Sequence, residues 1–123
     1  RNLLIRDWNF IFQSWQDKYG EGTWACLAPD QLLLDEFRHA TNDSGAKHAI
    51  DYLKSSEWIP FTTGSNFTDA IHRLEIRLSH IPSELLRQDS EWSYSICKVV
   101  ENLQKMRKEN SYNDFKPLPA TFT

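Results

Sequence analysis

Three carboxylate–imidazole pairs stand at helical spacing: Asp35 with His39, His48 with Asp51, and His72 with Glu75. Residues three or four apart on a helix share a face. Each pair can therefore hold a metal or serve as general acid and base. None of them grows into a recognised metal pattern. The di-iron bundle pattern needs Glu-x-x-His on two helices and further glutamates on the others, and no HExxH occurs. Nucleophile motifs of the GxSxG type are missing, and Gly20-Glu21-Gly22 is too short for a phosphate loop and has no strand before it. Cys26 and Cys97 belong to no CxxC or Cys/His cluster. They suit free buried thiols in an intracellular protein, or one disulfide in a secreted domain. The expectation is a protein that is not an enzyme and carries no metal and no cofactor, with the three pairs on exposed helix surface.

Chemistry suited to binding is better represented. Arg73 and Arg77 lie one turn apart on the polar face of a predicted helix, and Lys98, Lys105, Arg107 and Lys108 follow on the last one. A basic patch built by these two helices would meet phosphates of DNA or RNA. Glu75, Glu101 and Glu109 stand among these cations, so a solvated mixed face is the competing reading. The net charge of −3 excludes a wholesale basic nucleic-acid binder but leaves room for a local basic face. Trp58, Ile59 and Phe61 flank Pro60 as an aromatic knob, and Trp24 is a further candidate. These four residues are read either as partner contacts or as plugs of the core.

The positioning elements follow from apolar periodicity. Leu4, Ile5, Trp8, Phe12, Trp15 and Tyr19 recur in steps of three and four, which predicts a helix over 3–19 stopped by Gly20 and Gly22. Pro29 opens a second helix at its first turn, with Leu32, Leu33, Leu34 and Phe37 as a wide apolar surface. A short third helix, capped by Ser44, buries Ala46, Ala49, Ile50 and Leu53. Ser55 to Asn66 is then a central loop. Pro60 forbids a helix through it, Gly64 allows positive φ, and Ser65 or Asn66 caps the next helix. Asn66-Phe67-Thr68-Asp69 resembles a capping box, and the stripe Phe67, Ala70, Ile71, Leu74, Leu78 follows it. The last helix starts at Asp89 or Ser90 and carries Trp92, Ile96, Val99, Val100, Leu103 and Met106.

No period-2 strand pattern stands out, so the expected fold is all-α: a compact bundle of about five helices with a central aromatic Pro/Gly loop. One helical domain spans 1–109, and 110–123 forms an extended tail containing Lys116-Pro117-Leu118-Pro119. The sequons at Asn42 and Asn66 fall where helix caps are expected. With no membrane-length apolar run and no signal peptide, a cytoplasmic location without membrane contact is expected.

Ala49-Ile50, Ser55, Phe61, Gly64 and Asn66, preceded by Trp8, Trp15 and Leu27-Ala28-Pro29-Asp30, resemble the C-terminal helical module of phage and plasmid replisome-organiser (helicase-loader) proteins. The resemblance covers roughly residues 8–80 and rests on the order of elements. It departs from that family in the second helix, where Leu32, Leu33 and Leu34 replace a Lys/Arg-rich surface. It implies a module of a nucleoprotein complex that contacts nucleic acid and protein subunits. Small helical subunits of CRISPR effector complexes suit the same size and class by analogy. A purely protein-binding adaptor or regulatory domain is the alternative.

Overall fold

The computed structural model describes residues 10–116. Strands β1 (Ile11–Gln16) and β2 (Thr23–Ala28) are followed by helices α1 (Gln31–Thr41) and α2 (Lys47–Ser55), strand β3 (Phe61–Gly64), and helices α3 (Phe67–Ser79) and α4 (Glu91–Lys108). Short 3-10 turns lie at Ser44–Ala46, Ser83–Leu85 and Tyr112–Asp114. The expected all-α bundle is thus corrected to a mixed α and β fold around a three-stranded antiparallel sheet of order β1-β2-β3. Leu4, Ile5 and Trp8 of the expected first helix lie outside the described residues, as does Pro117 onward.

The physical reason for the correction is double-sided burial. Phe61 pairs with Cys26 and stacks on Phe37 of α1, at 5.2 Å between ring centroids. Thr62 pairs with Ala25 on the opposite face, and its hydroxyl donates to the Ala70 carbonyl of α3. Both sheet faces are covered, and β2 is buried at every position. A strand buried on both sides loses the alternation by which strands are recognised. In β1, Phe12 and Trp15 point to opposite faces because strand side chains alternate. Phe12 meets Phe67 of α3, whereas the Trp15 indole donates to Thr41 of α1. Their spacing of three imitates a helix. Gly20 and Gly22 therefore belong to the β1–β2 hairpin turn, closed by Asp17 N–H donating to the Gly22 carbonyl at 2.8 Å.

The remaining helices follow their sequence signals more closely. Asp30 caps α1 by accepting from Leu33 N–H, which places Pro29 just before the cap rather than in the first turn. Asn66 caps α3, and Asp69 reaches back to the Ser65 N–H at 2.9 Å, a capping box displaced by one residue. Ser90 caps α4, and Asp43, not Ser44, caps the turn before α2. Trp92, Ile96, Val99, Val100, Leu103 and Met106 are all buried, as their spacing requires. Within the expected tail, Tyr112 and Phe115 are buried, with Phe115 against Tyr52.

The central loop is tied at several points. Ile59, Pro60 and Phe61 are buried, and Trp58 is half-buried. The Trp92 indole donates to the Trp58 carbonyl, and Leu27 N–H of β2 donates to the Pro60 carbonyl. Arg77 of α3 donates to the carbonyls of Leu53, Ser56 and Ile59 at 2.7–3.2 Å and also to that of Lys54. Gly64 is needed for closeness, not for positive φ, which no described glycine adopts. A Cβ there would stand 2.5 Å from the Ala70 nitrogen, inside the backbone of α3. Gly64→Ala is accordingly expected to lower the unfolding free energy by about 2–3 kcal/mol. Gly20→Ala, which meets only the flexible end of Asp17, should cost under about 1 kcal/mol. Urea denaturation of the two variants checks the difference, and equal losses would contradict it.

Candidate nucleic-acid interface

A groove of about 350 Å³ runs between the end of α2, strand β3 and α3. Lys54, Arg73, Arg77 and His80 line it, with Thr62, Thr63 and Ile76, and Glu57 is its one acidic residue. Helix α3 supplies Arg73 and Arg77, one turn apart on the face away from Ala70, Leu74 and Leu78, and its C-cap is His80. Lys54 arrives from the last turn of α2, where a cation suits the helix dipole. Sequence reasoning missed Lys54, since its place beside Arg73 depends on how α2 and α3 pack.

The groove cations are not equivalent. Arg73 and His80 are exposed at the rim, and Arg73 meets Asp69 only at 3.4 Å. Arg77 is half-buried behind them with its guanidinium on four backbone carbonyls. Burial lowers its pKa, opposed by the nearby Glu57. Arg77, expected as a phosphate contact, thus has its donors engaged within the fold.

The predicted two-helix basic patch is divided in the structure. Helix α3 packs on β3 and β2, whereas α4 packs on α1. Lys98, Lys105 and Lys108 are exposed on α4, with Glu101 and Glu109 beside them. Arg107 makes a forked pair with Glu36, at 2.9 and 2.6 Å, and Glu36 is only 5 % exposed. That hydrogen bonding raises the Arg107 pKa and engages the side chain. Arg107 is thus a clamp between α1 and α4, not a free phosphate reader.

The aromatic candidates also change role. Ile59, Phe61 and Trp24 are buried, and Trp24 stacks on Phe61 at 5.0 Å, so the three form core and not a contact surface. Trp58 retains partial exposure. The exposed large apolar side chains are others: Leu32 at 78 %, Tyr94 at 56 %, Phe67, Ile76 and Tyr19.

Among the described residues, no group of three or more His, Cys, Asp or Glu side chains comes together. Asp35 accepts from Gln31, and Asp51 pairs with Lys47 at 3.2 Å. Cys26 and Cys97 are free thiols, and burial raises the pKa of both. No helix among the described residues is long and apolar enough to cross a membrane. No family model matches the chain, and no curated protein or solved structure shows significant similarity to it.

Asp69 connects the groove to the start of α3. The Ser65 N–H, then Arg73, hold its carboxyl below the usual carboxylate range. A lowered folded-state pKa adds stability above the unfolded value of about 3.9, and that stability is lost as pH falls through the folded value. The stability difference between wild type and Asp69→Asn should be constant near neutral pH. It should shrink below about pH 4, as the wild-type carboxyl protonates. Urea unfolding across a pH series checks this, and a difference unchanged into strong acid would refute it.

Proposed function

We propose that the chain is a non-enzymatic binding module of a nucleoprotein complex, taking nucleic-acid phosphate in the α2–β3–α3 groove. The observation supporting this reading is the local charge of that groove. Lys54, Arg73 and His80 surround it with Arg77 behind them, against Glu57 alone, in a chain whose net charge is negative. A cationic cleft bounded by protein concentrates anions more strongly than scattered surface lysines do. Replication initiation and a CRISPR-type effector complex are two settings that such a module would suit, both in the cytoplasm.

The alternative is a protein-binding adaptor without nucleic acid. It is favoured by the engagement of Arg77 and Arg107 within the fold and by the exposure of Leu32 and Tyr94. Fluorescence anisotropy with single-stranded DNA and RNA at several salt concentrations separates the two. On the first reading, affinity falls with salt with a slope of about 2, because two or three cations meet phosphates. Arg73→Ala should weaken binding and reduce that slope by about 1, while Lys98→Ala on α4 should leave both unchanged. Absence of binding at low salt would leave the adaptor reading standing alone.

A further inference from the structure

Strand β1 is an edge of the sheet, paired by β2 on one side. Its backbone groups alternate in direction, as antiparallel pairing requires. Asp17 N–H donates to Gly22 across the hairpin, and Leu27 N–H turns to Pro60 on the β3 side. Leu27 stands opposite Phe12, and Trp24 opposite Trp15. Phe12, Ser14 and Gln16 therefore direct their N–H and C=O groups away from β2. Among the described residues no hydrogen bond meets these outward groups.

Proteins protect such an edge with charges, prolines or bulges. Ile11–Gln16 contains no charged residue and no proline, and its pairing with β2 runs without a bulge. The opposite edge differs, because β3 has only four residues and packs against α2. The α3 side of β1 is also open. Helix α3 packs on β3 and β2, and only its exposed first residue, Phe67, leans on Phe12, at 6.4 Å between ring centroids. A cavity of about 350 Å³ opens there, with Ser14, Gln16, Asn66 and Phe67 in its walls. A second copy of β1 fits this edge. Antiparallel pairing centred on Ser14 sets Ser14 opposite Ser14 of the second copy and Phe12 opposite its Gln16, so each outward N–H meets an outward C=O. Gln13 then faces Trp15 and Asp17 faces Ile11, so no like charges oppose each other. The second copy's Phe12, opposite Gln16, stands at the cavity beside Phe67.

We propose that β1 is a self-association edge: two copies of the chain join antiparallel, β1 to β1 through Ile11–Gln16, and extend their sheets into one. The cationic groove lies at the β3 edge, away from this contact, and the test does not depend on nucleic-acid binding. Sedimentation velocity of the full chain should show monomer passing to dimer between about 10 µM and 1 mM, the range of a small interface made largely by backbone. Over the same range, hydrogen exchange should slow at the Phe12, Ser14 and Gln16 amides, while Gln13 and Trp15, already bonded to β2, stay as they were.

Ser14→Pro deletes an outward N–H that the β1–β2 ladder does not use. It should keep the circular dichroism spectrum of the fold and weaken association about tenfold or more. Ser14→Lys and Ser14→Glu should each associate more weakly than wild type. Their mixture should associate about fivefold more tightly than either alone, because the pairing sets position 14 against itself. A chain that stays monomeric to 1 mM, or a dimer without slowed exchange at the three outward amides, would overturn the proposal. So would a dimer that a folded Ser14→Pro variant retains at full strength. A Lys/Glu mixture no tighter than its components would overturn it even if Ser14→Pro failed to fold.

Discussion

The structure depends most on one guanidinium. Helix α2 ends at Ser55, and a helix end leaves carbonyls without intrahelical partners. The chain cannot satisfy them by continuing, since Pro60 lacks an N–H and the strand must begin at Phe61. Arg77, from a helix that comes later in the chain, supplies the donors. Its planar fork reaches the carbonyls of Leu53, Lys54, Ser56 and Ile59 together. One side chain thereby fixes the end of α2, the turn through Trp58, the entry to β3 and the position of α3.

This clamp shapes the candidate interface without forming its contact surface. Holding α2 against α3 brings Lys54 beside Arg73 and His80, so the charge of the groove is a product of packing. The pair formed by Arg107 and buried Glu36 plays a parallel part between α4 and α1. Both arginines sit where a basic patch was expected. Both are engaged inward, because a buried carboxylate or a set of orphan carbonyls requires a charged donor more than solvent does. The exposed basic surface is smaller than a count of basic residues suggests.

The helices were legible in the sequence where one face alone is buried. The stripes of α3 and α4, and the caps at Asn66 and Ser90, follow the spacing of apolar and capping residues. The sheet was not legible. Thr23 to Ala28 lies between helices on both faces and shows no alternation, and Phe12 and Trp15 in β1 stand at a spacing a helix would also produce. The site was legible in part. Arg73 was found from its helix face, but Lys54 joins it only through tertiary packing, and nothing local marks Arg77 as a cap for another helix. Phe61 was read either as a partner contact or as a plug of the core. Its stack between Trp24 and Phe37 makes it core, and only long-range pairing with Cys26 places it there.

The central claim is that Arg77 acts by geometry, as a forked donor, and not as a positive charge in a groove. The unfolding free energy of Arg77→Lys, compared with Arg77→Ala, tests it most directly. Lysine keeps the charge but lacks the planar fork, so the account predicts that both variants lose about 2–4 kcal/mol and that lysine recovers little of it. A lysine variant as stable as wild type would contradict the account.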